Sequence, residues 1–349
     1  MIIRQWLFAF LCWILFSSTA VGSELYSRYA GAVFSGDISW MLTLEPTNDA
    51  EADLVRKFRD RFVERQAVPA FENIDDPLVR EVARQFQGYW IDSLLDPGSR
   101  DAFEQTLRKN VSAMLTEAGY EISPDSRPRA LIQAIRDRGW GFQAGRTPPL
   151  QDFILWRTTE SKNYEVELSD RTQPVTVHFL DDFVSQGWAN FATFGHTGTG
   201  GWANDDGLFC IRSAYDPESE AFQISYLKHE ARHYADYQLF PDLEGADLEY
   251  RAKLTELIFL DQGQKDLLEM FVSHANGRSD APHPLANWHV LKDVGGIVDL
   301  NGPFDESASW EAVDAGSVRV AAGELLERHN LLLFEAGSDD TTGILTSIR

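Results

Sequence analysis

The apolar residues of this chain change their spacing twice, and those changes constrain its fold more than any other feature. From residue 51 to about 140 they recur at helical intervals, as in Leu54, Phe58 and Phe62 and again in Leu78, Val82, Phe86 and Trp90, each set lining one helix face. Asp96-Pro97-Gly98 and the stretch Ser123 to Pro128 interrupt the pattern as turns. At Tyr164 the period drops to two. Tyr164 to Leu168 alternates, and Val175 to Leu180 is β-branched and apolar, as strands require. Gly187 to Gly207 is rich in Gly, Trp and Asn and reads as loops or a hairpin, and Gly207 to Arg212 reads as another strand. Helical spacing then returns. Asp216-Pro217 suits a cap and first turn, and the helix it opens runs to about Leu239, before Phe240-Pro241. Further helices are expected at about 247–275 and 315–334. The order predicts an α+β protein with a mainly helical region over 24–148 and a second domain, a small sheet plus helices, over 149–349.

Residues 1–23 are a different material. Arg4 is basic, Trp6 to Phe16 is apolar, and Ser18 to Gly22 are mostly small, which predicts a removable signal peptide. The apolar core is short for a membrane span, so the expected product is exported, periplasmic or secreted, without stable membrane insertion. Cys12 lies inside this leader, and the remaining cysteine, Cys210, sits in an apolar strand-like run and reads as a buried structural thiol. The formal net charge of -23 argues against nucleic acid as a partner, since phosphate binding needs a basic footprint.

The chemistry concentrates in Tyr226-Leu-Lys-His-Glu-Ala-Arg-His-Tyr-Ala-Asp236, which contains His229-Glu230-x-x-His233. Residues four apart on a helix share a face, so the two imidazoles can bind one tetrahedral Zn²⁺. The intervening glutamate points to the adjacent face, where it can act as general base toward a water that zinc has acidified. A third protein ligand is needed. Asp236 and Leu239 stand where the metzincin pattern requires Gly and His. The following segment, Asp247 to Leu257, offers Glu249 about fifteen residues after His233, with Glu244 and Glu256 as rivals. The bland reading of Glu249 is an exposed ion pair with Lys253.

This arrangement resembles the gluzincins, the thermolysin-like zincins: an HExxH helix, a turn, and a second helix carrying a glutamate. The likeness covers about 30 residues closely and about 60 loosely. It departs from that pattern at Leu248 and Lys253, where gluzincins of this type carry Asn and Asp. The resemblance implies a zincin-like catalytic domain, one Zn²⁺ held by His229, His233 and Glu249, and hydrolysis of peptide or protein substrates with Glu230 as the base.

Zinc-bound histidines usually give their other N–H to a carboxylate or carbonyl, and Asp236 and Glu256 are the nearest carboxylates for that role. An oxyanion donor is also expected. His274 and His283, in a stretch that reads as a loop, and Tyr250 on the second helix are the choices, whereas His178 and His196 read as structural. Gly195 to Gly201 is glycine-rich but precedes a strand and lacks a closing Lys-Ser/Thr, so it is not a phosphate loop. Two other functions fit the same residues: an aminopeptidase-like enzyme, and a non-catalytic zinc-binding protein on a zincin-like scaffold.

Overall fold

The computed structural model describes residues 24–123, 126–243, 245–279 and 281–336. The apolar leader with Cys12, part of the turn at Ser123 to Pro128, and Glu244 lie outside the described residues. Helices come first: α1 (Glu24–Ser35), α2 (Asp49–Phe58), α3 (Pro69–Glu72), α4 (Pro77–Leu95), α5 (Arg100–Glu117) and α6 (Arg127–Arg136). Their starts follow local rules. Asp76, for example, accepts the Val79 N–H at 3.0 Å, and Pro77 occupies the first turn of α4.

Five strands follow among the described residues: β1 (Gly141–Thr147), β2 (Leu150–Glu167), β3 (Thr172–Gln186), β4 (Gly201–Asn204) and β5 (Gly207–Ile211), in the sheet order β1-β2-β3-β5-β4. Between β3 and β4 lies α7 (Gly187–Ala192). The proline-rich stretch around residues 144–150, which the sequence suggests as a domain boundary, is instead the β1–β2 hairpin, with Thr147 paired to Leu150. Gly207 opens β5 at φ +135°, where an added Cβ would sit 2.5 Å from the Thr176 carbonyl oxygen. Cys210 is buried in β5.

After the sheet, Ala221–Lys228 winds as a π-helix and runs directly into α8 (His229–Leu239). Then come α9 (Gly245–Phe259), α10 (Gln264–His274), α11 (Pro282–Ile297), α12 (Ser307–Trp310) and α13 (Ala315–Ala336). The single helix expected over about 247–275 is two. The break falls where the Glu220 carboxylate accepts the N–H groups of Asp261 (2.8 Å), Gln262 (3.3 Å) and Gly263 (3.1 Å), satisfying the backbone donors of the turn that separates α9 from α10. Among the described residues no helix is long and apolar enough to cross a membrane.

The chain makes two compact units. One takes the chain up to Glu160, Phe179–Trp202 and Cys210–Ala214, and the other takes Ser161–His178, Ala203–Phe209 and the chain from Tyr215 onward. In the second unit α9 is the centre, packed against α8, α11 and α13. Residues 247–257 are buried on every face, with Leu254 and Leu257 in a core shared with Val290, Leu291, Val318 and Leu326.

The first unit's core is aromatic, with Tyr29, Phe58, Phe62, Trp90, Phe153 and Trp188 all buried. Into it comes one carboxylate, Asp152, which accepts the Trp188 N–H at 2.9 Å. Gly187 at φ +89° makes room, since a Cβ there would lie 2.2 Å from Asp152 Oδ1. Burial pushes the Asp152 pKa up to about 6 from 3.8. Between those values the folded chain keeps a proton that the unfolded chain has lost. The stabilising contribution is therefore complete below about pH 4 and is lost as pH rises through 6, by about 3 kcal/mol at roughly 1.36 kcal/mol per pKa unit. Denaturant titrations should find Asp152→Asn within about 1 kcal/mol of wild type at pH 4 and more stable than wild type at pH 7. Parallel pH profiles for the two proteins would contradict this.

Candidate metal centre

The π-helical turn hands the chain to α8 at His229, so His229 and His233 stand one α-helical turn apart on the same face. Leu239 ends α8, the chain turns through Phe240 to Leu243, and α9 brings Glu249 back beside both rings. His229, His233 and Glu249 form a buried group that could hold a metal ion, with one ligand atom of each within 4.8 Å of the others. His229 Nε2 and His233 Nε2 are 3.0 Å apart. Glu249 Oε1 lies 3.2 Å from His233 Nε2, and Oε2 lies 3.7 Å from His229 Nε2. A tetrahedral ion with bonds of about 2.0–2.1 Å needs ligand atoms roughly 3.3–3.4 Å apart. The histidine nitrogens lie near that spacing, and each faces one oxygen of Glu249, so these three residues could hold a metal ion.

The next layer orients these donors. Glu256 Oε1 accepts from His229 Nδ1 at 2.7 Å, which in the neutral ring leaves Nε2 as the lone-pair end facing the centre. His283 Nδ1 lies 2.8 Å from Glu249 Oε2, and Lys253 Nζ lies 3.9 Å from the same oxygen. Burial disfavours charge on His229, yet Glu256, Glu249 and Glu230 outweigh it and push its pKa up to about 9. Burial works to raise the Glu249 pKa, but His283 and His233 hold it well below the usual carboxylate range. The pocket favours positive charge at its centre.

Glu230 follows His229 on α8. It is 1% exposed, and its Oε2 has no hydrogen-bond partner among the described residues. Burial pushes its pKa up against the opposing pull of His233 and His229. One turn beyond His233, the Tyr237 ring stacks against its imidazole with centroids 6.4 Å apart. Burial and the charges of Glu230, Glu249, Asp236 and Asp205 keep the Tyr237 phenol protonated, with its pKa raised well above 10.0.

The other expected residues fall elsewhere. Asp236 does not receive a histidine N–H. It is fully buried and accepts from Arg251 Nε at 2.7 Å, Arg251 Nη2 at 2.9 Å and Arg232 Nη1 at 3.4 Å. Tyr250 points away from the cluster, because neighbours on a helix are turned by about 100°. Its hydroxyl donates to Asp293 Oδ2 at 3.0 Å, beside a cavity of about 210 Å³ also lined by Arg328 and His329. His274 ends α10 on the surface, with Ser273 Oγ and Met270 O as its partners. His283 does reach the cluster, from the first turn of a helix instead of the expected loop, since Pro282 suits a first helical turn. Its Nδ1 faces Glu249, and its side chain is partly exposed. Glu249 and Lys253 are both buried, so the exposed-pair reading does not hold. His178 and His196 make structural contacts, to Ser161 and Tyr26 respectively. Comparison with known proteins finds no matching family model, no matching curated protein and no matching solved structure.

The arrangement separates the donors by distance from the centre, and that separation is measurable. Zinc titrations against a competing chelator should rank the variants. His283→Ala and Glu256→Ala should weaken binding by roughly 10–100-fold, and Glu249→Ala should weaken it by more than either. Near-wild-type binding by Glu249→Ala would show that it is not a ligand.

Proposed function

We propose that this chain is an exported, zinc-dependent metallopeptidase with a gluzincin-like site on a zincin-like catalytic unit. The observation that carries this reading is the pairing of a three-donor cluster with an unpartnered buried carboxylate, Glu230, between its two histidines in sequence. A binding site alone has no use for such a group, because an isolated buried carboxylate costs stability without adding a ligand. Perturbed, unsatisfied carboxylates of this kind are what proton-transfer chemistry requires. Export rests on Arg4, the Trp6 to Phe16 run and the small residues at 18–22.

In this reading the ion held by His229, His233 and Glu249 is zinc, one per chain, and it supplies Lewis acidity that stabilises negative charge growing on oxygen. Glu230 takes a proton from the attacking water as the water oxygen bonds to the scissile carbonyl carbon. It returns that proton to the amide nitrogen as the C–N bond breaks, and so ends the cycle as a carboxylate. Glu256 and His283 hold His229 and Glu249 in place and exchange no proton with substrate.

Glu230→Gln tests the reading directly. It should bind zinc about as tightly as wild type, while peptide hydrolysis falls by at least about 10²-fold. Retention of full hydrolytic activity by Glu230→Gln would contradict the assignment. So would the loss of zinc, which would make Glu230 a ligand.

A further inference from the structure

Tyr237 is the group at this site whose chemistry the peptidase reading leaves unused. It follows Glu230 by seven residues, and seven steps of about 100° fall roughly 20° short of two turns. Tyr237 therefore lies nearly in line with Glu230 along α8. Helical side chains lean toward the helix N-terminus, which tilts this phenol back over the turn carrying His233 and Glu230. The contacts agree with that direction. The ring stacks on His233 at an interplanar angle of 25°, along the stripe of α8 that also carries Glu230. The residue is only partly buried. No hydrogen bond with the described residues ties its hydroxyl down, whereas the Tyr250 hydroxyl is committed to Asp293.

We propose that Tyr237 is a catalytic residue whose phenolic hydrogen is donated to the carbonyl oxygen of the bound amide, with a bond that strengthens as that oxygen becomes negative. The inference rests on the peptidase reading and supplies the donor that reading lacks. His274 is on the surface with partners of its own helix, and His283 turns its Nδ1 to Glu249 at 2.8 Å. The carboxylates around the pocket can only accept hydrogen bonds when ionised. A neutral phenol with its hydrogen uncommitted is suited to meet a developing oxyanion.

The test compares zinc-loaded wild type, Tyr237→Phe and Glu230→Gln on a library of quenched fluorescent peptides. Alongside it, calorimetry measures binding of phosphinic pseudopeptides, whose tetrahedral P–O⁻ stands in for the oxyanion. The hydroxyl makes no hydrogen bond with the described residues, so Tyr237→Phe should keep wild-type zinc affinity and thermal midpoint. Its kcat should fall by about 10²–10³-fold with KM little changed, and phosphinate affinity should fall in parallel. If Tyr237→Phe stays within about threefold of wild type in both measurements, while Glu230→Gln is inactive, the Tyr237 assignment is wrong and the peptidase reading stands. A wild type that neither cleaves any peptide nor binds any phosphinate would overturn both. Loss of zinc or of thermal stability in Tyr237→Phe would make the phenol structural and would also overturn the proposal.

Discussion

The second unit depends on a helix that carries charge into its own core. Five acidic and basic side chains of α9, Asp247, Glu249, Arg251, Lys253 and Glu256, are buried together with the apolar residues between them. An unpaired buried charge is costly, so each needs a partner at a defined place. Asp247 takes His329 Nε2 at 3.1 Å, Arg251 takes Asp236, and Glu256 takes His229. Glu249 takes His233, His283 and Lys253. Those partners sit on α8, α9, α11 and α13, which are the elements that surround or form the helix. The pairing therefore fixes the register of α8 against α9, and that register places two imidazoles and a carboxylate around one point.

The same network separates structural charge from chemical charge. Arg232, Asp236 and Arg251 form a cluster of paired charges beside α8, extended by the Arg232 contact to Asp170. Beside it the donor atoms of His229, His233 and Glu249 face one another, and Glu230 Oε2 has no hydrogen-bond partner among the described residues. Positive charge is favoured at that point, as the raised His229 pKa and the depressed Glu249 pKa both record. A divalent cation would satisfy the same field in place of protons on the rings.

Much of this was legible in the sequence, where local rules decide the outcome. The i,i+4 histidines, the intervening glutamate and the return of Glu249 on the next helix follow from helix geometry and the turn at Phe240-Pro241, and the helical N-terminal region follows from its 3.6-residue period. Tertiary contacts set the rest. Glu220 splits the expected long helix by accepting backbone N–H groups from 41 to 43 residues away, which no local pattern records. Pro282-His283-Pro284 has the composition of a loop but opens α11. Lys253 read as an exposed partner because its alternation with acidic residues looks solvated, while in the fold every face of α9 is covered. Tyr237 had a legible signal, four residues after His233 and seven after Glu230, but its uncommitted hydroxyl shows only in three dimensions. The interleaving of the two units through β2 and β3 likewise has no counterpart in the composition of the chain.

The central claim is that one metal ion is held where α8 and α9 meet. Anomalous diffraction at the zinc absorption edge, from crystals of protein purified without added metal, tests it most directly. The account predicts a single peak within about 2.0–2.2 Å of His229 Nε2, His233 Nε2 and a Glu249 oxygen. A map with no peak there, or with zinc bound by other residues, would contradict it.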